Sequence, residues 1–167
     1  PVSTNITTVN TTTVTSNYAI HFVNPTVGEQ NWSAQVWYEL AEPMKAGKTY
    51  TLKCKAAASE QYDWCSIFLQ STDGSVQNYN HGMSFSTEWK QVEVTINPDQ
   101  DVYQRLTWCF GDKVITLMLD DVSLTEKGSE VNLITNGDFE GQTTEGWSSW
   151  AGYEKIGAGE GGIQSEV

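Results

Sequence analysis

A chain of 167 residues has room for one domain of ordinary size, and 38% apolar residues suffice for one buried core. Its 21 acidic and 9 basic side chains leave a formal charge of -12, scattered along the chain, which argues against phosphate-rich partners: neither nucleic acid nor anionic lipid is expected. No apolar run approaches the ~18 residues that a membrane-crossing helix needs, so membrane insertion is not expected.

Helical periodicity is nearly absent. Alternation of apolar and polar residues, bounded by Gly, Pro, Asn and Asp, recurs about every ~8 to 12 residues and predicts an all-β sandwich or barrel of antiparallel strands. Strands are expected near 5–14, 18–23, 34–40, 48–57, 62–70, 76–85, 90–96, 102–110 and 114–124, with one or two more between 132 and 156. The stretches "EPMKAGK", "STDGS", "NPDQD" and "FGDK" supply the residues that reverse the chain between them. Because successive side chains of a strand point to opposite faces, the core should hold Tyr50, Leu52, Cys54 and Ala56, then Val92, Val94 and Ile96, then Val102, Leu106, Trp108 and Phe110.

Two stretches break this pattern. In "YDWCSIFLQ", with Cys65, Ile67 and Leu69 inward, the opposite face carries Tyr62, Trp64 and Phe68 where polar residues would be expected. Either a loop or second sheet covers those aromatics, or they serve a ligand. In "ITLMLDDVSL" the inward residues Ile115, Leu117 and Leu119 give way to Val122 and Leu124, a slip of one at Asp120 and Asp121 that predicts a β-bulge. Adjacent carboxylates there are either solvated or arranged for a hard cation such as calcium.

Catalytic constellations are hard to find. "GAGEGG" at 157–162 fits a dinucleotide-binding spacing, but no helix is predicted after it. The only histidines are His21 and His81, and no serine sits in a nucleophile elbow. Glycoside hydrolysis needs two carboxylates across a cleft, and Asp120 and Asp121 would diverge as strand neighbours. Cys54, Cys65 and Cys109 are widely separated within strand-like runs and read as buried thiols.

"NWSAQVWYELAEPMKAGKTYTL" resembles a segment of carbohydrate-binding modules of families 4, 9 and 22, in which N-W-x-G-x-Q-Y-x-L is followed by x-x-L-x-x-G-K-T-Y-T. "STEWKQVEVTI", "QRLTWCFG" and "MLDDVSLTEK" resemble three further strands of that family, and "NLITNGDFEGQTTEGWSSW" resembles its first strand. The likeness spans about residues 15–155. Order is the departure: the family's first strand follows its last, through "LDDVSLTEKGSEVNLITNGDFE". Either residues 129–167 open a second, truncated module, or they fold back in cis and complete a circularly permuted jelly-roll β-sandwich of two antiparallel sheets. Energetics favour the cis reading, because the body 1–128 would otherwise lack a core strip containing Leu133, Ile134 and Phe139 and would expose a sheet edge.

The resemblance implies a cleft across a concave sheet that binds a single glycan chain, with aromatic rings stacked on sugar faces and polar groups on the hydroxyl rim. Trp32 matches the family's stacking tryptophan and Gln35 its polar partner; Tyr79 falls at a second aromatic platform, Arg105 where a cleft arginine occurs, and Trp150 at an aromatic used on ligand. His81 is expected to point the same way as Tyr79, and strand alternation adds Trp64 and Phe68. The competing readings are Trp32 as a core plug, Arg105 as a surface ion pair and His81 as a bystander. A structural calcium is implied, shared by Asp120, Glu140 and the Gly137 carbonyl. The implied function is a non-catalytic module that holds an attached glycoside hydrolase on polysaccharide, with xylan the favoured ligand and mixed-linkage β-glucan next. The expected location is secreted or cell-surface, in a bacterium. The alternatives are a small jelly-roll glycan hydrolase or a cell-surface protein-interaction domain.

Overall fold

A computed structural model of the protein describes residues 17–161, so the strand expected near 5–14 lies outside the described residues. Ten strands follow in chain order: β1 (Tyr18–Asn24), β2 (Gln35–Glu39), β3 (Tyr50–Ala58), β4 (Tyr62–Gln70), β5 (Gln77–Phe85), β6 (Lys90–Ile96), β7 (Arg105–Cys109), β8 (Ile115–Glu126), β9 (Trp147–Trp150) and β10 (Tyr153–Ala158). A single 3-10 turn, Asn31–Ser33, precedes β2. The strands form two five-stranded sheets packed face to face, ordered β10-β1-β8-β3-β6 and β5-β4-β7-β2-β9, here the back and front sheets. Every pairing is antiparallel. This is a jelly-roll β-sandwich, the all-β class that the alternation predicts.

Alternation places the core as expected over most of the chain. Tyr50, Leu52, Cys54, Ala56, Ile96, Leu106, Trp108 and Phe110 are buried between the sheets, and Val92 and Val94 pack at the margin near the edge. Ile115, Leu117, Leu119, Val122 and Leu124 all face inward, and the change of parity between them is a bulge: Lys53 pairs with Ser123 but Lys55 with Asp120. Asp121 takes a left-handed backbone (φ 47°) there.

Three core expectations are corrected. Val102 is exposed and Tyr103 is buried in its place, because β7 begins only at Arg105 and the preceding turn does not alternate. Tyr62 faces the core, since the β4–β5 register shifts between Tyr62 and Cys65, and its hydroxyl donates to Asp112 at 2.6 Å. Leu133 is partly exposed.

Residues 129–161 enter the same sandwich: β9 pairs with β2, and β10 pairs with β1. "NLITNGDFE" itself forms no strand. It is an irregular plug whose Ile134 and Phe139 are buried, with Phe139 held at φ 58°, a left-handed backbone that a bulky residue adopts only where its surroundings impose it. Gly137 allows the plug to approach β8, because a methyl group there would lie 1.9 Å from the Val122 carbonyl oxygen. Trp147 then packs against Phe22, Tyr38, Trp108 and Phe139, joining the two sheets and the plug.

Deleting residues 129–167 is expected to abolish a cooperative thermal transition above room temperature. Phe139→Ala is expected to destabilise by about 3 to 5 kcal/mol in denaturant titration, the range for a buried aromatic. Wild-type stability in the deletion would show that the sandwich does not depend on this segment.

Candidate functional site: a cleft on the front sheet

Opposed residues in an antiparallel ladder share a face, so the pairings of the front sheet define rows across its outer surface. One row runs Gln77, Gln70, Arg105, Glu39; the next runs Phe68, Thr107, Trp37, Ser148; a third runs Gly82, Ser66, Cys109, Gln35, Trp150. The middle of this face is buried although it looks away from the core: Phe68 is 6% exposed, Gln70 7%, Thr107 0% and Cys109 0%. A flat sheet would leave such residues in water. Walls therefore rise at either side and the face is a trough.

Two contiguous depressions of about 540 and 270 Å³ make up the trough, sharing Gln35, Gln70 and Gln77. The larger is lined by Asn31, Trp32, Ser66, Phe68 and Tyr79, and the smaller by Trp37, Gly74, Arg105 and Trp150. Trp32, Tyr79 and Trp150 stand on the walls at 51, 58 and 66% exposure, so Trp32 is not a core plug. Tyr79 reaches the trough through a register shift in β5 between the pairs Ile67–His81 and Leu69–Asn78, and its ring meets Phe68 edge-on at 4.5 Å.

Hydrogen bonds orient the polar lining. Thr107 donates its hydroxyl to Gln70 Oε1 at 2.5 Å, which turns the Gln70 amide NH₂ away from Thr107. Gln35 Nε2 donates to the Trp32 carbonyl at 2.9 Å and Gln77 Nε2 to the Gly74 carbonyl at 2.9 Å, so both keep their side-chain oxygens as acceptors. Asn31 donates to Ser66 Oγ at 3.2 Å, and its own buried Oδ1 has no partner among the described residues. Arg105 stacks over Trp37, with its guanidinium carbon 5.3 Å from the ring centroid, and Nε donates to Glu39 at 3.3 Å. The ion pair and the place in the cleft thus coexist. Burial pushes the Cys109 thiol on the floor up to about 12, the reverse of what a nucleophilic cysteine requires.

Of the residues singled out in the sequence, Trp32, Gln35, Phe68, Tyr79, Arg105 and Trp150 line the trough. Trp64 lies on the same outer face but outside the lining, with its ring against Gly82, where a methyl group would come within 2.3 Å. His81 is a correction: it opposes Ile67 and faces inward at the sheet edge, where burial lowers its pKa and leaves Nδ1 without a partner among the described residues. The same bulge that sends Tyr79 outward sends His81 inward. Sequence reasoning missed Trp37, Gln70 and Gln77, although strand parity with Gln35, Phe68 and Tyr79 respectively places each of them on the outer face.

Asp120 and Glu140 do approach each other, on the back sheet. Asp120 is 1% exposed, one oxygen accepting the Asp121 amide at 2.8 Å and the other lacking a partner among the described residues. Glu140 accepts the Tyr18 amide at 3.0 Å and is close enough for its charge to act on Asp120. The Gly137 carbonyl accepts the Val122 amide at 2.8 Å, which occupies one of its two lone pairs and leaves the other free. Among the described residues no three His, Cys, Asp or Glu side chains converge as a full ligand set would. The orphaned Asp120 oxygen and the neighbouring Glu140 carboxylate are oxygen donors of the kind a hard cation takes.

No known protein family and no curated protein matches this chain. Among solved structures it is similar to the apo form of the PbXyn10C CBM, where CBM denotes a carbohydrate-binding module, at 23% identity and TM-score 0.78 over 87% of this chain and 90% of that one. It also aligns with the apo BiXyn10A CBM1 at 25% identity and TM-score 0.49, covering 64% and 72% of the two chains. A CBM4 structure aligns at 22% identity and TM-score 0.48, covering 65% and 70%. The likeness to the PbXyn10C CBM shows that the chain has the β-sandwich fold of that module.

Burial, with repulsion from Asp121 and Glu140 adding to it, pushes the Asp120 carboxyl up to about 7. An unfolded carboxyl titrates near ~3.9, so the folded state holds this proton more tightly; the stabilisation is complete below that pH and is lost as pH rises through the folded value. In chelator-containing buffer, thermal stability is therefore expected to fall between about pH 4 and pH 7, and Asp120→Asn to flatten that fall. A slope unchanged in the variant would assign the pH dependence to other groups.

Proposed function

We propose that this chain is a non-catalytic carbohydrate-binding module that takes a single glycan chain along the front-sheet trough. The observation that carries the reading is the trough itself: aromatic rings on its walls and floor, with fixed amide donors and acceptors along rows that cross the strands. Sugar rings present apolar C–H faces and a polar hydroxyl rim, and the two kinds of lining complement the two kinds of sugar surface. Four inter-strand gaps of ~4.8 Å give about 19 Å of width, room for several sugar rings laid end to end. The fold shared with the PbXyn10C CBM supports the reading.

Xylan is the favoured ligand and mixed-linkage β-glucan the next, by analogy with xylanase-attached modules of the resembled families. The role is to raise the effective concentration of an attached glycoside hydrolase on its polysaccharide, outside a bacterial cell or at its surface. Residues 129–167 belong, on this reading, to the same module as 1–128. Hydrolysis is disfavoured because the described lining holds no aspartate or glutamate, and Glu39 beside it is engaged by Arg105.

Affinity electrophoresis on xylan, β-glucan and mannan gels tests the reading. Retardation on xylan is expected, with Trp32→Ala weakening it roughly tenfold through loss of one stacking platform. Migration unaffected by any glycan would end the binding proposal, and sugar released in a parallel assay would favour a hydrolase.

A calcium ion held by Asp120 and Glu140 is proposed as a structural partner, supported by the unpartnered Asp120 oxygen. Such an ion would lock the plug against β8 by neutralising two neighbouring carboxylates. Calorimetric scans with calcium and with chelator test this, since an ion at about 100 times its Kd stabilises by about 2.7 kcal/mol. Coincident scans would exclude the ion, as would a calcium-induced shift that persists in Asp120→Asn.

A further inference from the structure

The two halves of the trough differ in chemistry, and the difference centres on Arg105. It is the only lysine or arginine among the described lining residues, in a protein whose formal charge is -12. Side-chain amides suffice to bond the hydroxyls of a neutral glycan, and three glutamines already line the cleft. A stacked guanidinium adds positive charge and a fixed fork of donors. Its plane is held by Trp37 and its Nε by Glu39, while no acceptor among the described residues takes a proton from either terminal nitrogen. Arg105 lines the smaller depression together with Gln70 and Trp150.

From this we infer that the Arg105 end of the cleft recognises a carboxylate carried on the glycan, a hexuronic acid attached to the otherwise neutral chain. The inference rests on the proposed glycan-binding function and specifies its ligand. A carboxylate accepts two parallel hydrogen bonds from a guanidinium fork, which a single hydroxyl cannot do. The neutral backbone would lie over Trp32, Phe68 and Tyr79, with the acid reaching the polar end. In a strongly acidic protein, a lone cation at this end discriminates in favour of a correctly placed carboxylate and leaves misplaced ones repelled.

Isothermal titration of the full chain with two xylo-oligosaccharides of equal backbone length, one plain and one bearing a single glucuronic acid, tests the inference through the ratio of their affinities. The acid-bearing ligand is expected to bind roughly tenfold more tightly at low salt, with the advantage shrinking at high salt. In Arg105→Gln the ratio is expected to fall to about one, and in Arg105→Lys to lie between, because lysine keeps the charge but not the fork. Thermal unfolding of each variant confirms folding. Equal affinity of wild type for the two ligands overturns the inference and leaves the glycan-binding function standing, as does a preference that survives in Arg105→Gln. Failure of wild type to bind either ligand overturns the inference and counts against xylan as the backbone.

Discussion

Trp147 is the interaction on which the rest of the structure depends. Its indole lies 5.2 to 5.8 Å, centroid to centroid, from Phe22 of the back sheet, Tyr38 and Trp108 of the front sheet and Phe139 of the plug, and its N–H donates to the Asn136 carbonyl at 2.8 Å. One side chain thereby fills the space between the sheets, tethers the irregular segment before it and starts the strand after it. A buried tryptophan combines the largest apolar surface of any side chain with a donor that must be satisfied, so it tolerates few alternative packings. Here the satisfying acceptor lies in the plug, which ties plug and strand to a single arrangement.

The cleft inherits this arrangement. β9 runs from Trp147, buried, to Trp150, exposed on the wall, and its pairing with β2 sets Trp150 beside Gln35. At the other edge a bulge in β5 brings Tyr79 over Phe68. The walls at Tyr79 and Trp150 are thus built by edge strands and Trp32 is supplied by the 3-10 turn before β2, while the floor comes from the central strands β4, β7 and β2. Rigid centre and adjustable rim suit a trough whose ligand runs across the strands, because a change in an edge turn alters the wall without disturbing the packed floor.

Charge is distributed in keeping with this division. Among the described residues the trough lining holds no aspartate or glutamate, its polar groups being amides, hydroxyls and one guanidinium, and Glu39 beside it is paired with Arg105. Neutral hydrogen-bonding groups hold a hydroxylated ligand without the desolvation penalty of buried ions. The one buried carboxylate of the back sheet, Asp120, sits at the bulge where β8 meets the plug, so its protonation state and any ion it holds act on the joint between sandwich and plug and not on the cleft.

Alternation of apolar and polar residues was sufficient to read the sandwich class, the positions of β3, β6 and β8, and the bulge at Asp120, because burial of one strand face writes a period of two directly into the chain. The same reasoning set Phe68 and Arg105 on an outer face, and local motifs marked Trp32, Gln35 and Trp150. Other placements depended on tertiary pairing. Tyr62 and His81 face inward because of register shifts in β4 and β5, and a shift of one residue reverses every side chain beyond it without leaving a mark in composition. Gln70 and Gln77 became neighbours only when β4 met β5, and the orientation of the Gln70 amide came from Thr107, thirty-seven residues away. Alternation fixes which face a side chain takes within its own strand, but the partners across that face are set by long-range pairing, and the cleft is made of partners.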